Sequence, residues 1–433
     1  MDFSKAIEMT KNSNKILIVS HYDCDGLCSA KILSTALKKE NKEITIRIAK
    51  ELSKNIIENI EEEFEKENFD LMIFSDLGSS NLGLLPNKNI IILDHHMPEK
   101  IEIPENIVQI NPIVENKELC GAGVCYLFAS KINNNQELID YAIVGAIGDN
   151  QIEIGENRKI VLEAEKIKRL KIEKGLKLFG HLNRPLHYSL TNSKLLPLKD
   201  CSEVVQFISD LKINLNHSGK IKSYYDLSKE EKERLFLGII KERIRNNLDP
   251  TNIFSDIYLL TKQPRELMDA LEFSTILNAF GRLEKFDEAL KLLDGNLEKL
   301  EEVMAIYKRK LATYLSWTTE NINNFQQTKN ILFINAGEKI DENMIGTITS
   351  IIINSCTNKK IVVGLAYAAD GVKISARSRM PETDLNEIMN KVCEKLGGKG
   401  GGHKEAAGGK IEKGKEEKFI KLFAEELKET IFN

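Results

Sequence analysis

Lys15-Ile16-Leu17-Ile18-Val19-Ser20-His21-Tyr22-Asp23-Cys24-Asp25-Gly26 is the stretch on which the reading of this chain turns. A short apolar run ends in three side chains able to bind metal, at alternate positions. The pattern recurs. Leu71-Met72-Ile73-Phe74 leads to Asp76, and Ile90-Ile91-Ile92-Leu93 leads to Asp94-His95-His96. Unbroken apolar runs of this length read as strands buried on both faces, hence as a parallel sheet. In such a sheet the residues that follow the strands gather at one edge. A fourth run, Ala142-Ile143-Val144-Gly145-Ala146-Ile147, is longer and reads as a buried helix, with Asp149 just past its end.

Working outward, strands are expected at 15–20, 44–49, 71–75, 90–94 and 107–110, with helical stretches at 27–40 and 52–67 between the first three. This is β-α-β order and predicts a doubly wound α/β domain over 1–155. Further helices are expected from 121 to 132 and from 136 to 148. Residues 156–275 turn Lys/Glu-rich with helical spacing and read as a helical insertion. In it, Ser228 and Glu231 have the spacing of a capping box. Residues 276–325 read as linker helices, a strut. The smaller α/β domain at 326–433 has strands at 331–334, 361–367, 372–377 and 408–412, helices at 384–396 and 415–430, and a glycine-rich loop at 397–409.

The chain has 433 residues, 42% of them hydrophobic, which is ample for two or three cores. Its net charge of −4 argues against a generic nucleic-acid coat protein, although a local basic track would suffice for a nuclease. The seven cysteines form no CxxC pair and read as buried free thiols. No basic-then-apolar leader and no run of 18 apolar residues is seen, so a cytoplasmic location without membrane contact is expected. A single Asp after a strand is ordinarily a turn or cap residue. Here three of the seven histidines join the acids on four segments. Carboxylates and imidazoles gathered at one edge suit two divalent metals that activate water and clamp a phosphoryl centre. His181, His187 and His217 show no metal spacing and read as surface or packing residues.

These residues resemble the DHH phosphoesterase superfamily, whose name-giving triplet stands here as Asp94-His95-His96. Gly397-Gly398-Lys399-Gly400-Gly401-Gly402-His403-Lys404-Glu405-Ala406-Ala407-Gly408-Gly409 resembles the GGGHxxAAG signature of the companion DHHA1 domain. Leu277-Asn278-Ala279-Phe280-Gly281-Arg282-Leu283 is similar to the LNAxGRL stretch of RecJ nucleases.

The resemblance implies residue roles. His21 and Asp23 would serve one metal, Asp25, His95 and Asp149 a second, and Asp76 would bridge them. RecJ proteins often carry Asp where His21 stands. Asp94 would support His95 from behind, and His96 would face the phosphate. Mixed His/Asp ligation favours Mn²⁺ over Mg²⁺, with Co²⁺ or Zn²⁺ as further candidates. Ser375 and Arg377 match the DHHA1 SxRS element. With Gly401, Gly402 and His403 they would grip a phosphate or terminal nucleotide across from the metals, and Asn278 and Arg282 would contact the strand. The glycine loop lacks the Lys-Ser/Thr of a Walker A loop and reads otherwise as a hairpin with an anion nest.

The function implied is a Mn²⁺-dependent, single-strand-specific exonuclease. It would hydrolyse single-stranded DNA, and also RNA, to mononucleotides in DNA repair or replication. A second reading is a phosphodiesterase of very short RNAs or cyclic dinucleotides. A third is a replication scaffold docking on GINS-type proteins.

Overall fold

The computed structural model describes residues 1–428 other than 194, 199, 218 and 356. The extension of the last helix to about 430, Cys356 and the side chain of His217 lie outside the described residues. The chain forms two compact units, divided between residues 297 and 298.

The first unit opens with α1 (Ser4–Lys11), β1 (Lys15–His21), α2 (Cys24–Lys39), β2 (Glu43–Ala49), α3 (Lys54–Glu67), β3 (Leu71–Ser75), β4 (Ile90–Leu93) and β5 (Ile107–Ile110). The five strands pair in parallel in the order β2-β1-β3-β4-β5. Each expected strand is present to within a residue. Alternation along the strands splits the core between two faces. Leu17, Val19, Met72, Phe74, Ile90 and Ile92 meet Ile57, Ile60 and Phe64 of α3. On the other face α2 lies on β1 and packs against α4 (Gly121–Ile132) and α5 (Ile139–Gly148). The strand order reverses direction between β1 and β3. Ligands of doubly wound sheets bind in the crevice outside the carboxyl ends of the strands at that point.

The helix after β1 begins at Cys24, three residues earlier than the sequence predicts, because Asp23 caps it by accepting the amide of Gly26. Asp25 therefore sits in a first helical turn rather than in a loop.

The segment after α6 (Gly155–Lys166) is not helical throughout. β6 (Leu170–Leu176) pairs antiparallel with β9 (Phe254–Leu260), so the insertion leaves and returns through a two-stranded neck. The Lys171, Glu173 and Lys174 that suggest helix are the solvent-facing charges of a strand. Between lie α7 (Leu186–Ser193), α8 (Cys201–Asp210), the short hairpin β7 (Asn216–His217) and β8 (Lys220–Ile221), and α9 (Lys229–Arg245). They enclose a separate core that includes Leu186, Ile208, Tyr224, Leu235 and Ile239. The capping box of Ser228 and Glu231 is formed. Arg169 grips the buried Asp140 of α5 through two bonds of 2.8 and 2.7 Å, which moors the neck to the helix that ends at Asp149. Two helices close the unit, α10 (Ala270–Arg282) and α11 (Phe286–Leu293).

The second unit begins with α12 (Leu300–Glu320) and β10 (Ile331–Gly337). α13 (Glu342–Ser355) follows, a helix the sequence reading missed. The chain continues through β11 (Ile361–Ala368), β12 (Gly371–Ser378), α14 (Leu385–Lys395), β13 (Lys399–Gly402), β14 (Ala406–Ile411) and α15 (Glu416–Glu426). The sheet order is β10-β11-β12-β14-β13, parallel only between β10 and β11. The glycine-rich stretch is thus a paired β-hairpin. No helix among the described residues is long and apolar enough to cross a membrane.

Candidate metal centre

The parallel strands deliver the acids and histidines to one edge. His21 ends β1, Asp76 follows β3, His95 follows β4, and Asp149 caps the carboxyl end of α5. His21 Nδ1 lies 2.9 Å from Asp23 Oδ2 and 3.5 Å from Asp76 Oδ2. His95 Nε2 lies 3.2 Å from Asp76 Oδ1, 3.3 Å from Asp149 Oδ2 and 3.8 Å from Asp25 Oδ2. Three groups have metal-ligand atoms within 4.8 Å of one another: His21, Asp23 and Asp76; Asp25, His95 and Asp149; and Asp76, His95 and His96. Asp76 belongs to two of them.

Whether these residues fit metals can be judged from what their atoms lack. His21 Nδ1, both Asp76 carboxylate oxygens and His95 Nε2 are buried and face one another and the neighbouring carboxylates as ion pairs, without well-formed hydrogen bonds. A buried polar atom left unmatched costs free energy, and cations placed among these atoms would match all four. The backbone of Asp76 has φ +57°, a left-handed conformation that costs a non-glycine residue on the order of 1 kcal/mol. In that conformation its carboxylate reaches both groups.

The electrostatics agree. Burial pushes the Asp25 carboxyl well above its ordinary range, and Asp76 and Asp149 add to the shift. Burial likewise raises Asp149, to about 7. Burial would lower the two imidazoles. Asp23 and Asp76 outweigh it at His21, and Asp76, Asp149 and Asp25 outweigh it at His95, so both are raised well above the usual value. Burial also pushes up the thiols of Cys24, Cys28, Cys120 and Cys125.

A second layer fixes the ligands. Both oxygens of Asp25 accept amides from the first turn of α4, Gly121 at 2.6 Å and Ala122 at 2.9 Å. Gly121 and Gly145 make room: a Cβ on the first would come 2.7 Å from Asp76, and on the second 2.3 Å from Asp25 Oδ1. Asp94 is fully buried and accepts from the amides of Ser79 and His95 and from the His96 ring at 2.8 Å. It therefore holds the turn and the exposed His96 rather than the His95 ring. The sequence reading missed three supporting residues. Ser75 Oγ donates to Ser20 Oγ, which donates to Gly26 O, tying the ends of β1 and β3 together. Asn111 donates to His96 O and Ser79 Oγ. The signal for the serines was a polar residue closing an otherwise apolar strand.

The remaining candidates lie elsewhere. Asn278 Oδ1 accepts the amide of Cys24 at 3.1 Å, beside the metal loop. Arg282 ends α10, half-buried. In the second unit Ser375 is buried, and it accepts from Arg377 Nη1 at 3.0 Å while Ser350 accepts from Nε at 3.0 Å. Gly401, Gly402 and His403 lie at the hairpin end, the last two exposed. His181 is buried between Asp269 and Leu176 O. Cys201 is exposed, unlike the other described cysteines.

The model of the DHH family N-terminal domain matches residues 15–148, and that of the DHHA1 domain matches residues 328–429. An uncharacterized protein of Methanocaldococcus jannaschii is 31% identical over 96% of this chain and 94% of its own length. The single-stranded-DNA-specific exonuclease RecJ of Bacillus subtilis is 30% identical over 38% of this chain and 23% of its own length. Among solved structures, RecJ of Thermus thermophilus in complex with Mn²⁺ superposes with a TM-score of 0.62 at 19% identity. That match covers 98% of this chain and 53% of the RecJ chain.

Proposed function

Because this chain belongs to the DHH family, carries a DHHA1 domain and is RecJ-like, we propose that it is a divalent-metal-dependent phosphodiesterase that removes nucleotides from single-stranded nucleic acid. The observation that carries the reading is the buried cluster of ligand atoms on His21, Asp76 and His95, closely ringed by Asp23, Asp25 and Asp149. His21, Asp23 and Asp76 would hold one ion and Asp25, His95 and Asp149 the other, with Asp76 shared. Bound there, two such ions supply an activated water and neutralise charge on phosphoryl oxygens. Mn²⁺ suits the mixed imidazole and carboxylate donors better than Mg²⁺. The half-exposed His96 ring, held by Asp94, would donate a proton or charge to the substrate phosphate. Arg377, whose fork is oriented by Ser350 and Ser375, is suited to bidentate phosphate binding, with His403 and the hairpin amides near Gly401 and Gly402 beside it on the same sheet. Arg282 would contact the strand.

The test is a degradation time course with end-labelled single-stranded DNA, single-stranded RNA and blunt duplex, each labelled at either end. Mononucleotide release that requires Mn²⁺, stops with EDTA and stalls at duplex is expected. Equal rates on duplex and single strands, or cleavage confined to dinucleotides, would reject the exonuclease reading.

A further inference from the structure

Asp23 and Asp25 flank Cys24, and Cys24 is held from two sides. Its amide, the first of α2, donates to Asn278 Oδ1 at 3.1 Å, a partner 254 residues away. Its thiol donates to Val144 O of α5, the helix that ends at Asp149. The α10 helix approaches so closely that a Cβ on Gly281 would lie 2.0 Å from Tyr22 O. The first amides of any helix need acceptors from outside it. The Asp23 carboxylate already accepts the Gly26 amide through Oδ1, leaving Oδ2 beside His21. An N-cap side chain reaches the second or third amide of its helix, as Asp23 reaches Gly26, so the first amide, that of Cys24, needs an acceptor from elsewhere, and Asn278 supplies it.

We infer that Asn278 is a positioning residue for the metal loop. Its side-chain carbonyl satisfies the leading amide of α2 and so fixes the turn that sets Asp23 and Asp25 on either side of Cys24. The inference rests on the two-ion reading above and gives Asn278 a task besides the strand contact that its motif suggests. Groups that orient metal ligands from behind typically change metal affinity ten- to a hundred-fold.

The experiment is Mn²⁺ titration calorimetry on the full chain after EDTA treatment, alongside thermal melts without metal. Asn278→Leu removes the acceptor at similar volume. Asn278→Ser shortens it out of reach and stands in should the leucine variant prove unstable. Asn278→Asp keeps an acceptor in place. About tenfold weaker Mn²⁺ binding is expected for the first two, with affinity restored in the aspartate variant. Folded Leu and Ser variants that bind Mn²⁺ as the wild type does would overturn the inference alone. A wild-type chain that takes up no Mn²⁺ would overturn the two-ion reading itself, and the inference with it.

Discussion

At the metal centre, Gly145 stands where any side chain would strike the chain itself, since a Cβ there would lie 2.3 Å from an oxygen of Asp25. In the hairpin of the second unit, Gly400 is of the same kind, with Met389 O 2.6 Å from its would-be Cβ. Its neighbour Gly401 is not: a Cβ there meets nothing within 4 Å. The first region is filled by protein atoms, with carboxylates and imidazoles that face one another. The second contains a glycine that no protein neighbour demands. Its reason is to be sought in something that approaches from outside, as a substrate phosphate would. On the proposed function, the first region would prepare the chemistry and the second would keep a surface clear.

The sharpest way to break that contrast is Asp76→Ala. Both ligand groups containing Asp76 lose a member, and kcat/KM is expected to fall at least about a thousandfold, as befits several kcal/mol of metal-borne stabilisation. A circular-dichroism melt should show the fold intact. Near wild-type turnover with saturating Mn²⁺ would refute the assignment.

Next come Arg377→Ala and His403→Ala. Each removes a charge-assisted contact of about 1.5–3 kcal/mol, so kcat/KM should fall roughly ten- to a hundred-fold. Mn²⁺ affinity should not change, because both residues belong to the other unit. Weakened Mn²⁺ binding in either variant would erase the division of labour.

The pH dependence of stability separates the regions without substrate. Asp149 in the folded chain titrates near 7, above the ordinary carboxyl range, and Asp25, His21 and His95 are also raised. Between the unfolded and folded values the native state binds more protons than the unfolded state, so stability falls as pH rises. The metal-free protein should therefore lose melting temperature steadily from about pH 4 through neutrality. With Mn²⁺ the trend should reverse over the same range, because the ions replace those protons. A metal-free melting temperature that rises with pH would contradict the electrostatic account.

The smallest effect is expected at Gly401→Ala: an unchanged melting temperature with a few-fold loss of kcat/KM, since only an incoming ligand would meet the new methyl. Gly400→Ala should instead lower the melting temperature, by about 1–3 kcal/mol of stability for an overpacked contact. Equal stability losses in both variants would remove the case for an open ligand surface.

Three strands of the first sheet, β1, β3 and β4, were legible because they are nearly unbroken apolar runs, and α5 because it is almost wholly apolar. The insertion's neck was not. Lys171, Glu173 and Lys174 on β6 mimic a solvated helix, and pairing with β9 joins residues 78 to 90 positions apart, from Leu176–Phe254 to Leu170–Leu260. The start of α2 was obscured because Asp23 serves as both cap and candidate ligand. The bond from Cys24 to Asn278 has no local signature at all. Contacts made by chain segments distant in sequence leave no period to read, whereas a buried strand writes its burial into consecutive residues.

The central claim is that His21, Asp23, Asp25, Asp76, His95 and Asp149 hold two ions sharing Asp76. Mn²⁺ electron paramagnetic resonance on the metal-depleted chain, titrated to saturation, tests it most directly. Two bound ions per chain with a spin-coupled spectrum are expected, and the coupling should vanish in Asp76→Ala. A single uncoupled ion in the wild type, or a coupled pair surviving without Asp76, would contradict the account.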